Sequence, residues 1–304
     1  AKVLAVSNEE FTIRTQGDGA IERGNIGVLD IHGKTRNVIW TRINATAAKG
    51  STTLHLLEAV DWQPGEEIVI TATEAPGKVH HGQGSFGAPP VDFQDERALI
   101  KAVNGKVVSL MAPLKYRHTS QWYLRHDFRV PDGEIPAEEG WVHLAAEVGL
   151  LTRNVKIQGD ETSEKYSWGG HTIQAFGGIY RITGAEFYRM GQTGELSRYP
   201  IHFHVSQEYG RLSYCKYNAI HHSFQRAVAI HSTDYVTVYN NVAFDIIGHM
   251  FFIETGMERY NTLEKNLGIG AIPLMNGMLE SDQEPSGFWT AAPNNVWIDN
   301  VAVT

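Results

Sequence analysis

The stretch IHFHVSQEYGRLSYCKYNAIHHSFQRAVAIHSTDYVTVYNNVAF (201–244) decides the fold, because it carries one pattern twice. A short apolar segment containing histidine, IHFHV (201–205) or VAIHS (228–232), is followed each time by a second β-rich piece. Similar short segments lie on both sides, HTIQA (171–175) before the stretch and FFIET (251–255) after it. Four repeats of β-prone segments without helical periodicity indicate stacked coils of a parallel β-helix.

Aligning the repeats places Gln174, His204, His231 and Glu254 at equivalent positions, with spacings of 30, 27 and 23 residues. Such spacings are typical of solenoid coils whose loops vary in length. Asn240, Asn241 and Asn266 near the turns fit the left-handed backbone and side-chain stacking of such coils. No periodic segment supplies the crossover helices of a βαβ fold. The predicted class is therefore all-β, a parallel β-helix.

The rest of the chain predicts three regions. Residues 1–113 contain β-rich runs separated by turn-prone pieces such as DWQPGE and VNGK, which predicts an antiparallel or rolled-up β module. Residues 114–146 are predicted to connect this module to the β-helix of residues 147–304. The glycine- and proline-rich stretch Ala75 to Asp95 is predicted to be a long loop. The final NNVWIDNVAVT looks like the first strand of another coil, so the sequence is expected to belong to a longer protein.

Composition excludes several functions. The 304 residues carry a net charge of −8, so no overall basic field attracts nucleic acid or an anionic membrane. No apolar run reaches the roughly 18–20 residues that span a bilayer, so no membrane contact is expected from this segment. The single cysteine, Cys215, excludes an internal disulfide. Asn44-Ala45-Thr46 is an acceptor sequon that predicts glycosylation at Asn44 and a secretory route.

Stacked coils convert the repeat into columns of side chains about 4.8 Å apart. Gln174, His204, His231 and Glu254 are expected in one column, and His202 shares the face of His204 because strand side chains alternate. Arg226 and His249, 23 residues apart, are expected to form a neighbouring column. Imidazole transfers protons near neutral pH, and carboxylate with arginine orients a sugar acid. This combination suits cleavage of a glycosidic bond beside a uronic acid.

Two other readings of the column stay open. Two histidines and a carboxylate are also ligands of a divalent metal, so His204, His231 and Glu254 have an alternative role as a metal site. Polar ladders inside β-helices are also plain structural features. His221, beside His222 in an expected turn, is predicted to lie on the surface rather than in the site.

Several motifs resemble one family in the same order along the chain. RYPIHFH (198–204), IHHSFQRAVAIH (220–231), GHMFFIETG (248–256) and FWTAAPNN (288–295) look like the β-helix of the cell-migration-inducing hyaluronidase and its transmembrane relative. IHGKTRNVIWTRI near the start looks like the end of the eight-glycine domain of that family. The resemblance implies a right-handed parallel β-helix in an extracellular or cell-surface protein that binds or depolymerises hyaluronan. The family's polar positions map onto His202, His204, His222, Arg226, His231, His249, Glu254 and Glu258.

Two departures limit what the resemblance transfers. The animal proteins carry an inserted domain between the strands near Thr41 and Asp61, and they are richer in cysteine, whereas here Asn44 to Val60 is a short connection. The leading expectation is an enzyme, a hyaluronidase-like depolymerase (glycosidase or lyase) of an acidic polysaccharide. In it His202, His204, His231 and Glu254 act at the reacting bond, Arg226 and His249 hold the carboxylate, and Gln174, His222 and Glu258 contact substrate. The alternative is a non-catalytic glycan-binding or structural module.

Overall fold

The computed structural model describes residues 6–14, 21–74, 94–124, 141–175, 177–274 and 279–303. These residues form two compact units, one within 36–152 and one comprising the residues before 36 together with 153–303. No helix in the described parts of the chain is long and apolar enough to cross a membrane. The predicted loop Ala75 to Asp95 lies outside the described residues from 75 to 93, as does much of the predicted connecting segment, from 125 to 140.

The first two strands, β1 (Val6–Arg14) and β2 (Ile21–His32), form an antiparallel hairpin. The unit within 36–152 follows, and it contains an antiparallel sheet in the order β3-β10-β5-β6-β7-β4 and a hairpin of β8 with β9. Its buried core includes Leu54, Trp62 and Ile68. The strands are β3 (Trp40–Arg42), β4 (Thr53–His55), β5 (Glu67–Ile70), β6 (Glu96–Asn104), β7 (Val107–Leu110), β8 (Ser120–Leu124), β9 (Trp141–Ala145) and β10 (Glu147–Leu150).

The second unit is a parallel β-helix, as the repeats predict. Its only α-helix among the described residues, α1 (Thr162–Tyr166), has five residues. Two short 3₁₀ helices cover Glu208–Leu212 and Glu280–Gln283. The strands are β11 (Val155–Gln158), β12 (Ile173–Ala175), β13 (Ile179–Thr183), β14 (Ala185–Tyr188), β15 (Ile201–Gln207), β16 (Tyr214–Lys216), β17 (Ala219–Ser223), β18 (Val228–Thr233), β19 (Thr237–Tyr239), β20 (Val242–Ile247), β21 (Phe251–Ile253), β22 (Thr262–Glu264), β23 (Leu267–Ile272), β24 (Phe288–Thr290), β25 (Val296–Ile298) and β26 (Val301–Val303).

Three parallel sheets form the walls of the coil. The first sheet is β12-β15-β18-β21-β24, the second runs from β2 through β13, β16, β19 and β22 to β25, and the third is β11-β14-β17-β20-β23-β26. Each coil takes one strand from each sheet. Phe203, Ile230 and Ile253 of the first sheet lie in the apolar core, and full burial of each such side chain contributes about 1.5–3 kcal/mol. Because side chains alternate along a strand, the neighbours of each of these three residues on its own strand point away from the lumen.

Asparagines stabilise the turns between the second and third sheets. Asn218, Asn241 and Asn266 are completely buried, and each side-chain Nδ2 donates to the Oδ1 of the next asparagine, at 3.0, 2.9 and 2.9 Å, ending at Asn300. Each accepting Oδ1 also receives the backbone N–H of the preceding asparagine. The ladder satisfies polar groups that would otherwise be buried without partners. Asn240, immediately before it, has a left-handed backbone with φ 53°.

The register corrects one predicted alignment. Gln174 pairs with Phe203, whereas Ala175 pairs with His204 and His204 pairs with His231. The predicted spacing of 27 residues between His204 and His231 is thus confirmed, whereas the predicted spacing of 30 between Gln174 and His204 is one residue too long. A one-residue slip moves a side chain to the opposite face, so Gln174 is buried and leaves the column.

The ends of the predicted regions also differ in the structure. The antiparallel unit continues beyond Pro113 to β10, and β2 pairs in parallel with β13, so it belongs to the β-helix unit. NNVWIDNVAVT contains β25 and β26, the second and third strands of the last coil, rather than the first strand of a new one. Its first strand is β24, FWT, which lies far from β21 in sequence because residues 254–287 intervene.

Candidate functional site

Three histidines meet on the outer face of the first sheet. His202 and His204 lie two residues apart on β15, and His231 lies beside His204 on β18. The ring centroid of His204 is 4.9 Å from that of His202 and 4.8 Å from that of His231. Phe203, between the two histidines of β15, points into the core, so the group lies outside the lumen. We call these three residues the histidine triad.

Exposure differs within the triad. His204 and His231 are half-buried, whereas His202 is completely buried. The ring of Tyr199 covers His202, with centroids 4.8 Å apart. The Nδ1–H of His202 donates to the carbonyl of Ser197 at 3.3 Å. One member of the triad is therefore fixed in a known orientation, and the other two face solvent.

Burial disfavours the charged form of two members of the triad, His202 and His204. It lowers the pKa of His202 to about 3, and a charge on neighbouring His204 would lower it further. Burial also lowers the pKa of His204, with a smaller contribution from His231. Neutral imidazoles carry a lone pair on one ring nitrogen, so they are able to accept a proton or bind a metal ion.

Glu254 immediately follows β21, and its backbone N–H donates to the carbonyl of Ile230 at 3.1 Å. The side chain is half-buried, and its charge contributes to raising the pKa of Tyr199, which burial raises most. Glu254 therefore lies near the ring that covers His202. It is not one of the side chains whose ligand atoms converge, because that group comprises only the three histidines among the described residues.

Arg226 is not placed to hold a substrate carboxylate. It is completely buried, and its Nη2 donates to Oδ1 of Asp282 at 2.7 Å, with both side chains fully shielded from solvent. Its Nη1 donates to the Tyr199 hydroxyl at 2.9 Å, and its guanidinium stacks on Phe252 at 3.9 Å. The prediction that Arg226 contacts substrate is therefore wrong, because an internal carboxylate already uses its charge. Arg226 instead holds Tyr199 in place through its hydrogen bond to the Tyr199 hydroxyl.

His249 lies near Arg226, as the predicted neighbouring column requires, but it is also completely buried. Its ring packs on Phe252 and Trp289, each with centroids 5.0 Å away, and its Nδ1 accepts the backbone N–H of Ser286. Burial lowers the pKa of His249 to about 4, and the Arg226 charge adds to this effect. The residue is thus a neutral core histidine rather than a ligand for a polymer.

Three predicted substrate contacts lie elsewhere. Gln174 is buried and its Nε2 donates to the carbonyl of Gly178. Glu258 is 1% exposed, and its carboxylate accepts hydrogen bonds from Thr255 and from the backbone of Ser232, so it organises a turn. His222 lies on β17 in the third sheet. In these positions the three residues are not placed to contact a substrate at the triad.

His221 is buried rather than exposed, contrary to the prediction. Its Nε2 lies 3.2 Å from Oε1 of Glu186, and its Nδ1 lies 3.0 Å from Nδ1 of His222. Lys156 Nζ is 2.6 Å from the same Glu186 oxygen. Burial alone would raise the pKa of Glu186, but the hydrogen bonds from His221 and Lys156 outweigh it and lower the value to about 2. This cluster is a buried polar anchor of the third sheet.

Sequence reasoning also missed an open cleft. Its volume is about 510 Å³, and Asp160, Tyr166, Trp168 and Gln192 are among the residues that line it. Tyr166 is 63% exposed and Trp168 is 47% exposed, so both aromatic rings are available. One loop, residues 192–198, links the cleft to the triad. At one end the backbone N–H of Gln192 donates to the carbonyl of Arg198, and the carbonyl of neighbouring Ser197 accepts from His202. The signal in the sequence was the pair of aromatics in KYSW.

Three histidines converge closely enough to hold a metal ion. The ligand atoms of His202, His204 and His231 all lie within 4.8 Å of one another. The predicted ligand set of His204, His231 and Glu254 is therefore replaced at one position, with His202 instead of Glu254. His202 was assigned to the same face by strand alternation, but its convergence with the other two depends on side-chain orientation.

Residues 167–304 match the family model described as CEMIP beta-helix. This match confirms the family resemblance read from the motifs. Fibrocystin-L of Mus musculus is 33% identical over 316 residues, covering 91% of this chain and 7% of that protein. A G8 domain-containing protein of Dictyostelium discoideum is 31% identical over 256 residues, covering 82% of this chain and 19% of that protein. The chain thus corresponds to a small part of these curated relatives.

Among solved structures, the tailspike protein gp49 from Pseudomonas phage LKA1 aligns over 79% of this chain and 41% of its own. The sequence identity is 8% and the TM-score is 0.25. The gp54 tailspike of Acinetobacter baumannii bacteriophage AP22, solved in complex with A. baumannii capsular saccharide, aligns with a TM-score of 0.22 and 13% identity.

Proposed function

Residues 167–304 of this chain belong to the CEMIP β-helix family, and from that membership we propose that the protein binds and depolymerises an acidic extracellular polysaccharide of the hyaluronan type. The observation that carries the proposal is the histidine triad, which lies on the outer face of the β-helix where a polymer is able to reach it. Secretion, a cell-surface location and glycosylation at the exposed Asn44 are parts of the same proposal.

The chemistry follows from the groups at that face. His204 and His231 present ring nitrogens at the half-buried edge of the triad, and the Glu254 carboxylate lies near Tyr199. Cleaving a glycosidic bond needs a group that gives a proton to the leaving oxygen and one that accepts a proton from the attacking group or from the sugar ring. The neutral imidazole of His204 or His231 accepts a proton and is able to give it up again once protonated, and the Glu254 carboxylate is a second acceptor, so these groups are able to fill both roles.

The carboxylate of a uronic acid in the substrate needs a cationic partner other than Arg226, because Arg226 already forms an ion pair with Asp282. Arg198 is exposed, and it precedes Tyr199, the residue that covers His202. Its charge adds to the burial that lowers the pKa of His171, so the guanidinium acts electrostatically on that ring. We assign the carboxylate-binding role to Arg198, because guanidinium groups pair with carboxylates in two-pronged geometry.

The aromatic cleft extends this surface. Exposed indole and phenol rings stack on the apolar faces of sugars, and the Asp160 carboxylate and Gln192 amide suit sugar hydroxyls. Through the 192–198 loop, one polysaccharide chain would contact the cleft and the triad together. The cleft thus supplies binding energy away from the reacting bond, which helps to orient the substrate there.

Size-exclusion analysis tests the proposal. The full chain, within its complete protein, is incubated with hyaluronan, chondroitin and alginate over a range of pH, and shortening of at least one polymer is expected. Arg198→Ala should raise KM with less effect on kcat, whereas Arg117→Ala, an exposed arginine in the other unit, should change neither. Unchanged lengths for every acidic glycan would reject the enzyme.

A second function is favoured by one observation, the burial of Arg226 and His249 in internal contacts. Two of the six side chains predicted to be catalytic are therefore structural, as a non-catalytic glycan-binding module would require. This function predicts retention of the protein on an immobilised acidic glycan without shortening of the polymer. The same incubation, paired with affinity chromatography, separates the two functions.

A further inference from the structure

We propose that the histidine triad is a binding site for a divalent transition-metal ion, with Zn²⁺ as the best fit. His202, His204 and His231 would each provide one imidazole nitrogen. With its nitrogens bound to an ion, the triad would no longer transfer protons itself, and water at the open position of the ion would take that part. This role of the ion at the reacting bond rests on the proposed function, whereas its binding does not. The two are therefore tested separately.

The buried histidine gives the first argument. Because the Nδ1–H of His202 donates to the Ser197 carbonyl, its other nitrogen, Nε2, carries the lone pair of the neutral ring. That Nε2 is buried and has no hydrogen-bond partner among the described residues. A buried polar atom without a partner destabilises the fold, so its presence in a site with two more imidazoles calls for a ligand.

The contact to Ser197 is also the kind that metal-binding histidines make. Such histidines almost always donate their second ring N–H to a backbone carbonyl, a carboxylate or water, which fixes the tautomer and the ring orientation. His202 is further held by Tyr199, which Arg226 and Asp282 support. One ligand is thus rigid before any ion arrives.

The distances permit coordination after a small adjustment. Two nitrogens on one tetrahedral Zn²⁺, each bound at about 2.0–2.1 Å, lie about 3.4 Å apart. The ligand atoms of the triad lie within 4.8 Å of one another, so the widest pair must close by at most about 1.4 Å. His204 and His231 are half-buried, and rotation of their rings provides this movement while His202 stays in place.

The donor set selects the type of ion. Three neutral imidazoles suit Zn²⁺, and also Cu²⁺ or Ni²⁺, whereas Ca²⁺ and Mg²⁺ require oxygen ligands. Three protein ligands leave a fourth tetrahedral position open for water or for a sugar oxygen, which is the arrangement of catalytic rather than structural zinc sites. The half-buried side of the triad is where that open position would face.

Equilibrium dialysis of the full chain against Zn²⁺, with Ca²⁺ as the comparison, tests the site without any glycan. Co²⁺ is then substituted, because its visible absorption reports four-coordinate geometry. We expect one Zn²⁺ per chain and no comparable Ca²⁺ binding. His204→Ala and His231→Ala should each weaken binding by at least about 100-fold, more than the 10–100-fold typical of outer-shell partners. The exposed His55→Ala is the matched control and should bind as the wild type does.

Folding is controlled separately. His202→Leu fills the buried volume without a ligand atom, and circular dichroism of every variant is compared with that of the wild type. Absence of Zn²⁺ binding by the wild-type chain, or binding retained in all three triad variants, would overturn the metal site. Zn²⁺ binding at the triad without shortening of any acidic glycan would leave the metal site standing and reject the proposed enzyme.

Discussion

Replacing Asp282 with asparagine tests whether Arg226 is a structural residue. The substitution keeps the shape of the side chain but removes the charge that faces the guanidinium at 2.7 Å, and both residues are fully buried. Asp282 also accepts the backbone N–H of Leu279 at 3.0 Å through its second oxygen. An uncompensated buried charge costs about 3–5 kcal/mol, a large share of the 5–15 kcal/mol that stabilises a typical domain.

Urea denaturation of the full chain measures the change, and hydrogen exchange of the amides in the first sheet assigns the transition to the β-helix unit. We expect Asp282→Asn to lower the free energy of unfolding by about 3–5 kcal/mol. The control is Glu164→Gln, whose side chain is 57% exposed and 3.8 Å from Arg189, and it should cost less than about 1 kcal/mol.

Removing both charges completes the cycle. The double variant Arg226→Met with Asp282→Asn should recover much of the loss, since no buried charge then stands alone. This reasoning would be refuted if Asp282→Asn destabilised the protein no more than the control does. It would also be refuted if the double variant cost as much free energy as Arg226→Met and Asp282→Asn added together. A stable Asp282→Asn variant with tighter binding to an acidic glycan would return Arg226 to the substrate-binding role predicted from sequence.

Three further predictions concern the triad, the asparagine ladder and the third sheet. His204→Ala should lower turnover of the acidic glycan by about 100-fold or more with an unchanged circular dichroism spectrum; a variant that loses stability but keeps its specific activity would make His204 structural. Asn266→Ala removes the acceptor of both the backbone N–H and the side chain of Asn241, so it should cost about 2–4 kcal/mol by thermal unfolding, and a loss below about 1 kcal/mol would contradict the ladder's role. The pKa of Glu186 is about 2 in the folded protein, below its ordinary 4.5, so its ionised form stabilises the fold above pH 4.5 and this contribution disappears as the pH falls towards 2. The free energy of unfolding measured at pH 7, 4 and 2.5 should show this loss in the wild type and not in Glu186→Gln. If the two proteins lose stability in parallel as the pH falls, ionised Glu186 makes no such contribution.

The repeats carried most of the fold because a coil of a β-helix is specified locally. Inward apolar residues such as Phe203 and Ile230 alternate with outward ones, and asparagines recur where the chain turns. The pairing of His204 with His231 follows from those repeats. Gln174 was misplaced by one residue because β12 has only three residues, which is too short for alternation to fix its register.

The sequence by itself thus determined the parallel β-helix, the family and the presence of several histidines on one face of a sheet, whereas the structure decided that this face lies outside the lumen. Only the tertiary structure decided which polar side chains are available to a ligand. Arg226 is neutralised by Asp282, 56 residues away in an irregular segment that no repeat predicts. Glu258 is used by a turn, and His202 converges with His204 and His231 because Ser197 and Tyr199 hold its ring. The physical reason is that repetition sets strand order and face, whereas the burial and pairing of a charged group depend on loops whose contacts are not periodic.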